Sequence, residues 1–212
     1  MAQLIAICGV DGVGKSTLLR SLQAAKLPSN TAFLSKTFKQ SVRLVESYYA
    51  ESGDRSKDYN SGSFAKAIAY ASCLDFLWHW ENVIKPEYKK RQLVICDRYI
   101  PCYTNYLASV GCESTYKNYV SYLPKADLTI LLDVKLSSLS TRYNQRGGPT
   151  EDENITLMAA LRKSYLSHCT EYSTRVAVLN NDCSLQETVK NSLRLIDEIR
   201  CLAKHDEAVN KS

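Results

Sequence analysis

Gly9-Val10-Asp11-Gly12-Val13-Gly14-Lys15-Ser16 is the stretch that decides the fold. It fits Gly-x-x-x-x-Gly-Lys-Ser/Thr, and it follows a short apolar run, Leu4–Cys8, and opens an amphipathic one, Thr17–Ala25. That placement is what a phosphate cradle needs. Glycines let the backbone approach phosphate oxygens, the loop's N–H groups wrap the anion, and the positive end of the following helix faces it. The mechanism assigns Gly9, Gly12, Val13, Gly14, Lys15, Ser16 and Thr17 to ATP. Lys15 is expected at the β- and γ-phosphates and Ser16 on Mg²⁺.

Outward from this loop, short β-branched runs alternate with longer amphipathic stretches. Leu4–Cys8, Thr31–Ser35, Leu93–Cys96, Leu128–Leu132 and Val176–Leu179 read as strands. None alternates strictly between apolar and polar, as expected where helices cover both faces. Thr17–Ala25, Gln40–Glu51, Phe64–Ile84, Ser114–Tyr122, Ser137–Arg146, Asn154–Thr170 and Leu185–Leu202 carry helical spacing, with Pro86 expected to end the third. The pattern predicts an α/β fold, a five-stranded parallel sheet flanked by helices. Glu51–Gly62 and Arg146–Asn154 read as polar loops and Lys204–Ser212 as a frayed polar tail.

At 212 residues, 45% hydrophobic and 23% charged, the chain has the composition of a folded globular protein. Its net charge of +5 suits anionic small molecules and falls short of a dedicated nucleic-acid binder. The 8 cysteines are scattered singly, without Cys-x-x-Cys or zinc spacing, and read as reduced thiols. The apolar run at the N-terminus stops at Gly9, too short for a signal peptide, and no segment reaches the ~20 apolar residues of a membrane span. A cytoplasmic location is the expectation.

Leu93–Cys96 leads into Asp97-Arg98. Strand carboxyl ends face the ligand crevice in such sheets, so Asp97 is expected beside Mg²⁺. A water-hydrolysing ATPase commonly has Glu after that Asp; here Arg98 stands there, a planar cation suited to a second phosphate. The other reading of the pair is a solvated strand end.

The P-loop with Asp11, the Asp97-Arg98-Tyr99 triplet and a later arginine-bearing lid resemble the thymidylate kinase family of nucleoside monophosphate kinases, over nearly the whole chain. The stretch from Ala126 to Val134 is similar to the family's fourth strand. Leu161–Leu166 is similar to the helix after the lid. Val178–Asp182 resembles the last strand and the loop passing adenine, which puts Asn181 at ATP. The resemblance implies a three-layer P-loop kinase fold with a short lid at about 142–154, in one domain over 1–205 with a polar tail at 206–212.

By that resemblance Asp11 contacts the acceptor's sugar, Arg98 its phosphate, and Asp97 organises Mg²⁺ and its waters. The family carries a catalytic arginine in the P-loop or the lid. Val13 stands at the P-loop position, so the lid is expected to supply it. Arg142 and Arg146, four residues apart, share a helix face before Gly147-Gly148-Pro149. With Lys15 they are the expected catalytic cations, since phosphoryl transfer is helped mainly by charge placed over the phosphate oxygens. An exposed basic helix end complementing its dipole is the other reading of both arginines.

Phe64–Ile84 corresponds to the family's acceptor helix, with Tyr70 at the position of the aromatic that stacks on the base. A core aromatic is the equal alternative. One turn on, Leu74 with Asp75 stands in place of a base-reading arginine. Asp75 reads either as a changed specificity contact or as the partner of a neighbouring cation, because an unpaired buried carboxylate is costly. Tyr99 and Tyr106 are expected in the same pocket, Leu107 replaces a common glutamine, and Lys36 is a candidate phosphate contact after the second strand.

The leading reading is transfer from ATP, with Mg²⁺, to a nucleoside monophosphate, dTMP by default. The same chemistry on another pyrimidine, a modified nucleotide or a nucleoside is the second, and a nucleotide-binding switch the third. No Asn-Lys-x-Asp guanine motif supports a GTPase. The family is commonly homodimeric, and Phe76–Trp80 is a candidate interface segment.

Overall fold

The computed structural model describes residues 2–53, 57–59, 61–150 and 153–209. Parts of both polar loops, 54–56 and 60 in the first and 151–152 in the second, lie outside the described residues. Five parallel strands, β1 (Gln3–Cys8), β2 (Thr31–Leu34), β3 (Leu93–Asp97), β4 (Leu128–Asp133) and β5 (Val176–Asn180), form one sheet in the order β2-β3-β1-β4-β5. Every residue of β3 is buried, as are Leu4 to Cys8 of β1. Consecutive side chains of a strand point to opposite faces, so these runs require helices on both sides of the sheet.

The helices are α1 (Lys15–Gln23), α2 (Gln40–Glu51), α3 (Gly62–His79), α4 (Lys85–Lys90), α5 (Ile100–Ser109), α6 (Glu113–Val120), α7 (Leu136–Gln145), α8 (Ile155–His168) and α9 (Leu185–Val209). α1 packs on α9 and on β1 and β3, and α5 lies between α3 and α8. A small second core of Val42, Phe64, Ile68 and Ala71 joins α2 to α3. Tyr49 and Tyr59 close on the Phe64 ring edge-on, each 4.9 Å away. This packing holds α2 and α3 as one wall of a cleft.

Three elements differ from the sequence expectation. Helix α5 occupies a stretch without clear helical spacing, because the helix is buried on most sides, polar Thr104 and Asn105 included, and its apolar and polar positions do not separate into two faces. Proline fits a first helical turn, where its missing N–H costs nothing. Pro86 does not end the helical run. A π-turn, Trp80–Ile84, widens the ladder ahead of it, and Pro86 then sits in the first turn of α4. At the other end α9 runs through Val209 instead of stopping near Leu202, in a stretch of helix formers without Gly or Pro.

Candidate active site

β1 and β3 are neighbours in register Ile7↔Asp97, so the chain leaves both strands at the same edge of the sheet. The loop after β1 becomes the P-loop and Asp97 the last residue of β3. Gly9 has φ 137°, and a Cβ there would lie 2.5 Å from the Leu132 carbonyl oxygen. Gly14, at φ 105°, would put a Cβ 2.6 Å from Asn181 Nδ2. Gly9 therefore needs glycine for space as well as conformation, and Gly14 needs it for conformation, with the end of the Asn181 side chain having to move for any larger residue.

Lys15 is buried, and its Nζ donates to the carbonyls of Gly9 at 2.9 Å and Val10 at 2.8 Å, with Asp11 Oδ1 at 3.5 Å. Burial, then the nearby Arg98 charge, lowers its pKa, and Asp11 opposes the shift. Ser16 Oγ donates to Asp97 Oδ2 at 3.1 Å. The other carboxylate oxygen, Asp97 Oδ1, is buried and has no hydrogen-bond partner among the described residues. A hydroxyl beside an orphaned carboxylate oxygen, both at the mouth of a phosphate cradle, fits a hard divalent cation with oxygen ligands.

Arg98 has φ 77°, a conformation that non-glycine residues rarely adopt. Its N–H still donates to Ile7 O at 3.0 Å, so the strand bond is kept while the side chain turns back across the cleft. There its guanidinium pairs with Asp11. Burial would lower the Arg98 pKa, but Asp11, Cys102, Tyr165 and Tyr103 together outweigh it and raise the value, so the group is a permanent cation. Asp11 is held well below the usual carboxylate range: burial pushes it up, and Arg98, Lys15 and Lys39 more than compensate.

On the donor side Asn181 and Arg142 brace the P-loop. Asn181 Nδ2 and Arg142 Nη1 donate to the Val13 carbonyl at 2.7 and 3.0 Å, and Arg142 Nη2 donates to Asn181 O at 2.6 Å. Thr188 Oγ1 in turn fixes Asn181 Oδ1 at 2.7 Å. Thr17 is exposed on the first turn of α1. Arg146 lies at the end of α7, its guanidinium 4.6 Å from the Tyr143 ring centroid, and pairs with Glu153 across the lid. Burial would raise the Glu153 pKa, but the Arg146 and Thr150 hydrogen bonds lower it. Sequence reading missed Glu153. The available signal was the acidic triplet Glu151-Asp152-Glu153, five to seven residues beyond Arg146, within which nothing in the sequence distinguishes Glu153.

A cleft of about 370 Å³ opens beside the P-loop, with Asp11, Lys36, Arg98, Tyr106 and Asp75 on its walls. Tyr103, Glu46, Ser72 and the α8 residues Leu157, Leu161 and Tyr165 line it too, none of them singled out from sequence. Tyr103 stacks on Phe76 at 4.5 Å and shares a 2.6 Å hydrogen bond with Thr37. Three expected acceptor residues lie elsewhere. Tyr70 and Leu74 do not line the cleft and are 37% and 61% exposed, because α3 turns Ile68, Ser72 and Asp75 inward. Tyr99 is fully buried, its hydroxyl donating to Pro124 O at 2.8 Å.

Asp75 has a structural partner. Its carboxylate accepts from the backbone N–H of Ser41 at 2.8 Å and of Val42 at 3.3 Å. These belong to the first turn of α2, whose own N-cap, Lys39, supplies no side-chain cap. Asp75 therefore caps α2 from the neighbouring helix, and neither expected role, a base contact or a cation partner, is needed to account for its burial. Asp75→Ala should lose about 1–2 kcal/mol, lowering Tm by several degrees in a scan; an unchanged Tm would contradict the cap.

A P-loop on an all-parallel sheet, with a metal-ready Ser-Asp pair and a second cation, Arg98, on the wall of the adjoining cleft, fits a P-loop phosphotransferase. A family model described as thymidylate kinase matches residues 7–192. A probable thymidylate kinase of Pyrobaculum aerophilum is 32% identical over 168 residues, covering 79% of this chain and 83% of that one. The probable thymidylate kinase of Methanococcoides burtonii is 25% identical, covering 93% and 97%. Among solved structures, a thymidylate kinase from Candida albicans superposes with TM-score 0.65 at 19% identity, covering 94% and 92%. A deoxyadenosine kinase from M. mycoides gives 0.61 at 19% identity, covering 92% and 98%. These two likenesses show the fold. The chain belongs to the thymidylate kinase family and is a nucleoside monophosphate kinase, a phosphoryl-transfer enzyme. No helix among the described residues is long and apolar enough to cross a membrane.

Proposed function

We propose that the chain transfers the γ-phosphoryl of ATP to dTMP, with Mg²⁺ as cofactor. The observation that carries this reading is the gathering of two cationic centres on one carboxylate oxygen at the cleft: Lys15 of the P-loop lies 3.5 Å from Asp11 Oδ1, and Arg98 on the cleft wall pairs with the same oxygen. Two anions brought together repel, and fixed cations between them remove that barrier without reorganising during reaction. Arg98 is the fork for the acceptor phosphate, Lys36 an accessory charge, and Asp11 the sugar contact that also orients Arg98. Ser16 and Asp97 would hold Mg²⁺, which neutralises phosphate charge when bound. Arg146 is the lid's catalytic cation, released from Glu153 when the lid closes. Arg142 and Asn181 act on the donor side by positioning the P-loop. No nucleophile is activated, because the acceptor phosphate is already an anion.

A second reading keeps the chemistry and shifts the acceptor. It is favoured by α3, whose cleft face offers Ile68, Ser72 and Asp75 and no arginine. Incubation with ATP, Mg²⁺ and a panel of nucleoside monophosphates and nucleosides, followed by product mass, separates the two. Turnover with dTMP above all others is the expected result. Turnover confined to another acceptor moves the proposal to the second reading, and none at all overturns both.

We also propose a homodimer. Tyr70, Leu74 and Trp78 follow one another at helical spacing on the outer side of α3, with 37%, 61% and 55% of their surface exposed. Burying such a stripe against a second copy removes apolar surface from water. Trp78→Glu should halve the mass measured by light scattering. A monomeric wild type, or an unchanged mass in the variant, would contradict this interface.

A further inference from the structure

Of the eight cysteines, all unpaired, Cys102 lines the cleft. It stands in the first turn of α5, where the helix dipole favours an anion, and its thiol reaches Cys8 Sγ at 3.4 Å. Cys8 is the last residue of β1, directly before the P-loop. Arg98, Lys15 and the Tyr165 hydroxyl act on the same sulfur. Burial would raise the Cys102 pKa, but Cys8, Arg98, Tyr165 and Lys15 together lower it. The buried thiols of Cys73, Cys96 and Cys169 go the other way, pushed up by burial. Phosphoryl transfer uses neither Cys102 nor Cys8.

We propose that Cys102 is a nucleophilic thiol on the wall of the acceptor cleft, which hydrogen peroxide converts, through a sulfenic acid, into a disulfide with Cys8. The Cys102 thiolate attacks one peroxide oxygen, the O–O bond breaks, and the departing hydroxide takes a proton to become water. The Cys8 sulfur then gives up its proton and attacks Cys102 sulfur. The S–O bond breaks, a second water leaves, and two thiols and one peroxide have become a disulfide and two waters.

The consequence for the kinase rests on the proposed phosphoryl transfer; the thiol chemistry does not. Closing a 3.4 Å contact to a bond of about 2.05 Å draws the β1–P-loop junction toward α5, and it removes the sulfur charge facing Arg98 and Lys15. Displacement of about 1 Å at a reacting site costs on the order of a hundredfold in rate. Kinase activity should fall by about that factor and return on reduction with dithiothreitol.

The test treats the whole chain with hydrogen peroxide, blocks remaining thiols and maps the peptides by mass spectrometry. The expected product joins the Cys8 and Cys102 peptides with loss of two hydrogens. In Cys8→Ser protein, dimedone should instead trap a sulfenic acid at Cys102. The proposal is overturned if Cys102 stays free after the exposed Cys201 has been oxidised, or if Cys102 links to any cysteine but Cys8. If Cys8→Ser does not fold, the wild-type map alone decides. Since the map reads bonds, a protein inactive on every acceptor still tests it.

Discussion

Lys15→Ala should lower kcat by about three orders of magnitude, some 4 kcal/mol of transition-state stabilisation, measured as ADP release with saturating ATP and dTMP. The Lys15 ammonium is enclosed by the loop, bonded to the Gly9 and Val10 carbonyls at 2.9 and 2.8 Å. It is thus already in place, at fixed position and out of bulk water, before a phosphate arrives. Charge held in advance in a low-dielectric site stabilises developing phosphate charge far more than the same charge in solvent. Alanine also strips two buried carbonyls of their donor, so a thermal scan of the variant is needed alongside. A rate loss of less than about tenfold in a folded variant would show that the loop does not cradle the transferred phosphate.

Arg98→Ala should cost a comparable factor, about a thousandfold in kcat/KM for the acceptor, with KM for ATP nearly unchanged. Arg98→Lys should recover only part, because an ammonium keeps the charge and loses the planar fork. The variant also uncovers Asp11. A carboxyl whose folded pKa lies below its unfolded value contributes stability above the unfolded pKa and loses it as pH falls. Wild type should therefore exceed Arg98→Ala in stability at pH 7, and the gap should narrow below about pH 4. A gap that widens on acidification would contradict the Asp11–Arg98 pairing. Equal losses of KM for ATP and acceptor would place Arg98 outside the acceptor site.

The sheet and the donor side were legible because their signals are local. Five apolar runs marked the five strands, and one octapeptide carried the phosphate cradle, since its glycines, Lys15 and Ser16 act within one loop. The acceptor side was not legible to the same degree. Which face of α3 turns inward is set by packing on α2 and α5, and Tyr70 and Leu74 lie two residues from Ile68 and Ser72, on nearly the opposite side of the helix, so the choice of face decides which pair meets the cleft. Asp75 stood out correctly as a buried carboxylate, but its partner is two backbone N–H groups 33 and 34 residues away, which no spacing rule finds. Tyr99 followed the right motif into the core instead of the cleft, whereas Tyr103, one helical turn on, faces it. Arg142 and Arg146 shared the expected helix, yet they have parted company: the first is bonded to Val13 and Asn181, the second to Glu153. The left-handed Arg98 and the Glu153 latch exist only once strand and lid are folded against each other.

The proposed reaction delivers the γ-phosphoryl of ATP to a second nucleotide and not to water. Its most direct test is to follow γ-labelled ATP in a single turnover with dTMP and Mg²⁺, and to ask where the label goes. The geometry predicts label in dTDP, none above background in inorganic phosphate, and no transfer by Lys15→Ala. Label released as inorganic phosphate at the same rate with and without dTMP would contradict it.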